Sequence, residues 1–291
     1  MSLVQAITEI EEHRRSRVVV VAASNLDLDL LPMLYDVLDA RDARSRLDIL
    51  LYVKGGAVDA ARRIGMLLAD MTEHLGAIVP DRCQSSGTIV TLAADEIVAG
   101  PCAVFSPVDP ALQGPVGELT DGPSSISTED IRRFTEMCRE WFGRDDENAG
   151  GDAIAAFTNA IFPPTLTAFY RADREVEQIC RDLIGRRRQS LEMATVDRII
   201  ERLMHGYQSH SFPLSGVDLA ELGLPVLRDH STESKAWRIA NMLRKTIGGG
   251  LREGVEDDWF DACIATRETC QLRRTGANRM MPHWEEGSID D

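Results

Sequence analysis

The sequence lacks the residue patterns that hold metal ions or disulfide frameworks. Its six cysteines are scattered without a CxxC pair, and neither they nor the six histidines have the spacing of metal ligands. Free thiols in a reducing compartment explain these cysteines, and we expect no metal and no other cofactor. A glycine-rich dinucleotide fingerprint is missing too, so the sequence does not indicate a dehydrogenase.

Long apolar runs and an excess of basic charge are also missing. The apolar run near the start, at residues 18–23, is far shorter than the roughly 20 residues that a membrane-spanning helix needs. Acidic residues outnumber basic ones by 47 to 32, and the net charge of −15 repels phosphate backbones and anionic lipids. We therefore expect a cytoplasmic protein with no signal peptide or anchor, and neither nucleic acid nor a membrane as a partner.

Apolar strands and amphipathic helices alternate in the first hundred residues. Short β-branched runs of this kind are typical of strands that are buried on both faces. Helical spacing follows at residues 30–43 and 58–75, and a third helix is predicted at 88–94. This alternation predicts an α/β fold with parallel strands and crossover helices. The predicted strands lie at 17–21, 47–53, 77–80 and 96–99.

The rest of the chain is predicted to be largely helical. Residues 107–127 are rich in Pro, Gly, Ser and Asp, which is typical of an extended loop. The segment after 248–250 is acidic, and we predict that it is irregular. We therefore divide the chain into a main domain at 1–228 and a C-terminal helix with an acidic tail at 229–291. Further helices are predicted at 3–15, 128–142, 166–186, 192–205, within 215–226, and at 234–247.

A double glycine follows the second predicted strand. Gly55 and Gly56 lie between that strand and a helix, and they carry no Cβ. Their backbone N–H groups can therefore point at a developing negative charge. A double glycine in such a turn also serves as a packing device, so alone it does not identify a site.

A serine turn follows the third predicted strand. Ser85 stands at the strand end and Gly87 two residues later, which resembles a nucleophile elbow. The N–H of Ser86 would complete an oxyanion hole with the glycine turn. A Ser-Ser-Gly sequence also serves as a helix N-cap. Cys83 is a second potential nucleophile, but it has no glycine-rich turn of its own, and burial in a strand explains it better.

Four sequence motifs occur in a characteristic order. They read LYVKGG at 51–56, CQSSGTIVTLAADEIV at 83–98, FSPVDP at 105–110, and GYQSHSFPL at 206–214 followed by LGLPV at 222–226. The set resembles the serine dehydrogenase proteinase family, whose stretches look like HTPGG, AMSAGTLIALAADEIVM, LGPVDPQ, and GxWTHDYPI followed by ELGLPV. That family is related to signal peptide peptidase A and the Clp protease. The resemblance implies a Clp protease/crotonase-like fold with repeated β-β-α units and added C-terminal helices.

The resemblance also implies roles for individual residues. It puts the nucleophile at Ser85, and Ser86 stands where the family has alanine. Relatives use a His–Asp pair or a lysine as the base, but Asp109 occupies the position where Clp proteases have histidine. His210 is the candidate base, and Asp109 either orients it or only braces its loop. There are two alternatives. His210 is a purely structural residue, or the base is Lys54, which stands where the family has proline.

Three functions are compatible with these residues. The first is a serine endopeptidase-like hydrolase that acts on a peptide or protein and, by resemblance, assembles into a homo-oligomer. The second is a catalytically inactive scaffold or peptide-binding subunit, because the Clp-type histidine is missing, no lysine lies between Lys54 and Lys235, and Lys54 replaces the family's proline. The third is a crotonase-type acyl-CoA enzyme, which uses a similar oxyanion hole on the same general fold but does not need a serine at the elbow.

Overall fold

The protein is described from a computed structural model. The structure describes residues 2–38, 45–114, 124–142, 151, 155, 159, 163–248, 254, 256–279 and 281–289. Its centre is an eight-stranded sheet in the order β10-β9-β8-β1-β2-β3-β4-β7. The strands of this sheet are β1 (Arg17–Ala23), β2 (Arg46–Val53), β3 (His74–Val79), β4 (Glu96–Ala99), β7 (Val226–Leu227), β8 (Trp259–Ala265), β9 (Cys270–Thr275) and β10 (His283–Glu286).

Helices cover both faces of this sheet. The described helices are α1 (Leu3–Arg14), α2 (Leu30–Leu38), α3 (Val58–Asp70), α4 (Ser86–Thr91), α5 (Thr128–Phe142), α6 (Pro163–Ile184), α7 (Met193–His205), α8 (Gly216–Leu222) and α9 (His230–Thr246). The α/β class and the helices predicted after the sheet are confirmed. The prediction for α5 matches in both bounds, and those for α6 and α7 differ by at most a few residues.

The alternation of side chains along β1 explains why helices are needed on both faces. Val19 and Val21 pack with α2, α3, α6 and α7, whereas Val18 and Val20 pack with α1 and α9. All four side chains are fully buried. β1, β2, β3 and β4 pair in parallel, so their carboxyl ends meet at one edge of the sheet. Loops at this edge of an open α/β sheet are where ligands usually bind.

Parallel pairing continues for a few residues beyond the ends of the first four strands, and after each of the first three a helix then begins. Leu26 bridges Gly56, Val53 bridges Cys83, and Arg82 bridges Val104. The succession of strand, short pairing stretch and helix corresponds to the β-β-α units that were expected. It also brings four loops side by side at the carboxyl edge, and these loops contain the candidate residues.

Three segments differ from the prediction. The helix predicted at 58–75 ends at Asp70, because β3 already begins at His74. Within the loop predicted at 107–127, a small antiparallel pair forms between β5 (Ala111–Gly114) and β6 (Ser124–Ser127). The C-terminal tail, predicted to be irregular, contains β8, β9 and β10, and β8 pairs antiparallel with β1. The irregular-tail prediction was wrong because the partner of β8 lies more than two hundred residues earlier in the chain. The domain division at residue 228 stays a prediction, although these strands continue the main sheet.

Candidate active site

The serine turn leaves the carboxyl end of β3 and enters α4. Ser85 has φ 51° and ψ −114°, a backbone conformation that residues other than glycine rarely adopt. Strain of this kind costs about 1–3 kcal/mol and persists only where the surrounding structure enforces it. Gly87 N–H donates to the Gln84 carbonyl at 2.9 Å, and Ile89 N–H donates to the Ser85 carbonyl at 3.1 Å. The turn therefore has the backbone form of a nucleophile elbow.

Two further side chains support the elbow, and the sequence interpretation missed both. Ser85 N–H donates to Ser106 Oγ at 2.8 Å. The N–H of Ser106 donates to Thr88 Oγ1 at 3.2 Å, and Thr88 Oγ1–H donates to the Cys83 carbonyl at 2.8 Å. Ser106 and Thr88 are both buried. The available signal was their position inside two of the four sequence motifs, where each hydroxyl could have been assigned to the turn.

The glycine turn lies directly against the serine turn. Gly55 has φ 146°, and a Cβ placed on it would lie 3.8 Å from the Ser85 Cβ, with no other side chain nearer. Gly56 has φ 145°, and a Cβ there would overlap the backbone N and O of Leu26. The two turns, 30 positions apart in sequence, therefore meet without an intervening layer of side chains.

The hydrogen bonds of Leu26 orient the glycine turn. Leu26 N–H donates to the Gly55 carbonyl at 2.8 Å, and Ala57 N–H donates to the Leu26 carbonyl at 2.7 Å. Because backbone polar groups alternate along an extended chain, the N–H of Gly56 points away from Leu26 and towards the side of β3. Within the described part of the chain, neither this N–H nor that of Ser86 has a hydrogen-bond acceptor.

His210 and Asp109 form a hydrogen-bonded pair. His210 Nδ1 lies 2.9 Å from Asp109 Oδ1, where Asp109 is 3% exposed and the His210 side chain is 38% exposed. Paired backbone bonds between Phe105 and Leu214, at 2.8 and 2.9 Å, bring the segments that carry these two residues side by side. The hydrogen bond to Asp109 raises the pKa of His210 above its ordinary value near 6.5, against the opposing effect of burial.

Ser85 and the His210–Asp109 pair are connected through one short segment. Ser106, which accepts the Ser85 N–H, lies three residues before Asp109. Among the described residues, Ser85 Oγ makes no hydrogen bond to His210. Catalytic hydrogen bonds often tighten only when substrate binds.

A cavity of about 430 Å³ opens beside His210. Its lining includes Phe134 and Met137 of α5, together with Tyr207 and Asp109. Its size falls in the range of small-ligand pockets. Ser85 is not among the described residues that line it, so the cavity flanks the His210 side of the site.

The two alternative reactive groups have different environments. Burial raises the pKa of the Cys83 thiol far above its usual range, so a thiolate nucleophile at neutral pH is not available there. Lys54 is exposed, and a Cβ placed on Gly248 would lie 2.8 Å from its Nζ. No hydrogen bond joins Lys54 to Ser85 in the described part of the structure.

Comparison with known proteins relates the first part of the chain to a protein family. Residues 1–121 match the family of ClpP-like SDH-type serine proteinases. The match confirms the resemblance predicted from the motifs and the Clp-like fold class. It covers the glycine turn, Ser85 and Asp109, but not His210. A peptidase-like role is therefore supported for this chain.

Individual relatives match the chain at low sequence identity. An uncharacterized protein of Methanocaldococcus jannaschii is 23% identical over 261 residues, which is 85% of this chain and 78% of the relative. A second uncharacterized protein of that organism is 26% identical over 69% of this chain and 59% of its own length.

Two solved structures resemble the chain at a low level. A mutant of the membrane-bound stomatin-specific protease 1510-N is 16% identical, with a TM-score of 0.44, over 76% of this chain and 84% of its own. A mutant of ClpP1 from Listeria monocytogenes is 13% identical, with a TM-score of 0.40, over 77% and 98%. Likeness at this level is too low to transfer a function. None of the helices described for this chain is both long and apolar enough to cross a membrane.

Proposed function

We propose that this protein is a serine endopeptidase in which Ser85 attacks the peptide carbonyl. The observation that carries the proposal is the strained Ser85, which lies against Gly55 and next to the backbone N–H groups of Gly56 and Ser86, neither of which has an acceptor among the described residues. A strained serine at the end of a strand, next to unused backbone donors, is what acyl transfer requires. A helix N-cap alone requires neither the positive φ nor the contact with the glycine turn.

His210 serves as the general base in this mechanism. Its Nδ1–H donates to Asp109, so the lone pair of Nε2 is left to accept the proton of Ser85 Oγ. Asp109 is buried and fixes both the tautomer and the orientation of the ring. As Oγ bonds to the carbonyl carbon, His210 becomes protonated, and it then gives the proton to the departing amine. Water then attacks the acyl group on Ser85 Oγ, again with His210 as the base, and the proton returns to Ser85 Oγ as the acid product leaves.

The oxyanion is held by backbone N–H groups of the two turns. The free N–H groups of Gly56 and Ser86 are the donors. Because Gly55 has no side chain, there is room beside Ser85 for the carbonyl group of the substrate peptide. Such donors stabilise charge that develops in the transition state, and removing one costs about 100-fold or more in kcat. The cavity beside His210 would accept a side chain of the substrate peptide. Homo-oligomer formation stays a prediction from the resemblance, and a cytoplasmic location stays a prediction from the composition of the sequence.

Active-site labelling with a fluorophosphonate probe tests the proposal. Attack by Ser85 Oγ on phosphorus expels fluoride, so the parent protein becomes labelled, whereas Ser85→Ala and His210→Gln do not. Ser86→Ala is the matched control: it removes a buried hydroxyl without a partner and keeps the backbone N–H, so labelling should persist. Lys54→Met should also be labelled. Labelling of Ser85→Ala at the parent rate would refute the proposal, and an unlabelled parent that binds peptides would favour the inactive scaffold.

A further inference from the structure

The C-terminal strands reach the loop that orients the glycine turn. β8 pairs with β1, and beyond the end of β1 the pairing continues where Ser24 N–H donates to the Asp261 carbonyl at 2.8 Å. β9 lies on the far side of β8 and contains Arg273, whose side chain is 1% exposed. These strands lie outside the residues that match the proteinase family.

Arg273 joins two carboxylates in a planar fork. Its Nη1 lies 2.8 Å from both carboxylate oxygens of Asp27, and its Nε and Nη2 each lie 2.9 Å from an oxygen of Asp261. Multidentate guanidinium–carboxylate pairs of this kind fix geometry as well as charge. A buried ion pair is weak grounds for assuming stabilisation, because apolar replacements are often as stable. The defined geometry is therefore the more informative property.

Asp27 is covalently next to Leu26, and Leu26 is the residue that holds the glycine turn. Leu26 is fully buried and bonds to both Gly55 and Ala57. Its backbone lies so close to Gly56 that no Cβ fits between them. A shift of Asp27 therefore moves Leu26, and a shift of Leu26 moves the N–H of Gly56.

We infer that Arg273 is a positioning residue for the oxyanion hole, acting through Asp27 and Leu26. The C-terminal hairpin of β8 and β9 is then a working part of the active site, although it contributes no group that touches the substrate. This inference rests on the proposed function, because it assumes that the N–H of Gly56 binds the oxyanion. It predicts that loosening Arg273 weakens catalysis without weakening substrate binding.

Asp27→Asn tests this inference with little disturbance of the fold. Asparagine keeps the size of the side chain and its bond to the N–H of Asp29, which helps to start α2, but it weakens the fork with Arg273. The matched control is Glu285→Gln, the same chemical change in the partly buried pair that Glu285 forms with Arg274, away from Leu26 and the glycine turn. Arg273→Lys is the second test variant, since it keeps the charge and removes the fork.

The readout is the fluorophosphonate labelling reaction, resolved into its maximal rate and its half-saturating probe concentration. We expect Asp27→Asn and Arg273→Lys to lower the maximal rate by about 10-fold to 100-fold, because small displacements of catalytic groups have effects of this size. The half-saturating concentration should stay the same. Glu285→Gln should remain within about twofold of the parent in both quantities, as expected for a pair that lies away from the glycine turn.

Hydrogen exchange supplies a second readout that does not need activity. Amides of the peptides covering residues 24–57 should exchange faster in Asp27→Asn and Arg273→Lys, and not in Glu285→Gln. Unchanged exchange and labelling in Asp27→Asn would overturn the inference, as would an equal loss of labelling in Glu285→Gln. An unlabelled parent would instead defeat the proposed function, while exchange would still report whether Arg273 fixes the turn.

Discussion

His210 and Asp109 lie 101 positions apart in the chain, yet His210 Nδ1 is 2.9 Å from Asp109 Oδ1. This hydrogen bond raises the pKa of His210, so the ring stays protonated, and unable to accept a proton, up to a higher pH than a free histidine would. The rate of labelling should therefore rise with pH through this raised pKa. In Asp109→Asn the main cause of the shift is lost, and the acid limb of the pH profile should move to lower pH.

The same Asp109→Asn variant should also lose rate at its optimum. Asparagine no longer fixes the tautomer or stabilises the imidazolium, and general-base catalysis contributes about 100-fold to 10,000-fold. The measurement is the labelling rate across the neutral pH range, on both sides of the histidine pKa. Asp218→Asn, which changes the capping box of α8, is the control and should leave the acid limb in place. An unmoved limb in Asp109→Asn would mean that another group titrates.

The two glycines of the turn should respond differently to alanine. Gly56→Ala forces a Cβ into the backbone of Leu26, so the turn must move, and both thermal stability and labelling should fall. At Gly55 the Cβ has room 3.8 Å from the Ser85 Cβ, and the main cost is the strained φ of 146°, about 1–3 kcal/mol. Gly55→Ala should therefore melt at a higher temperature than Gly56→Ala. The reverse order would contradict the packing of Gly56 on Leu26.

Ser106→Ala should impair labelling without changing the base. The substitution removes the acceptor of the Ser85 N–H and leaves that group unpaired, at a cost of about 1–3 kcal/mol in the strained turn. We expect a lower maximal labelling rate and an acid limb at the same pH. Ser215→Ala, which removes the N-cap of α8 and costs about 1 kcal/mol, is the control. If both variants label at the parent rate, Ser106 only packs the loop.

Local sequence was sufficient for the parallel strands and for the two turns. β1 to β4 are apolar runs that end in Gly or Ser turns, and such runs can be recognised without knowledge of their partners. The elbow motif indicated the turn at Ser85 but not its positive φ, and the parallel order of β2 and β3 explains its contact with Gly55. These features depend on residues that are near one another in sequence.

Features that depend on distant partners could not be predicted. From the sequence, Arg273 is indistinguishable from an ordinary surface arginine. Its partner Asp27 is 246 positions away, and nothing in the local pattern of β9 indicates burial. The strands of the acidic tail were missed for the same reason, since β8 becomes a strand by pairing with β1.

Acid should weaken the contact between α1 and the start of α9 through Asp229. Burial alone would raise the pKa of Asp229, but hydrogen bonds from Thr232 and His13 lower it to about 2. The charged form is therefore favoured in the folded state, and its contribution is present above the ordinary pKa near 3.8 and lost as the pH falls towards 2. After allowance for solvent screening, we expect this contribution to the free energy of unfolding to be about 1 kcal/mol.

Urea unfolding of the parent and of Asp229→Asn measures this contribution. The two free energies of unfolding should differ by this amount at neutral pH and converge between about pH 4 and pH 2. A difference that persists at about pH 2 would show that the cap, and not the charge, is responsible.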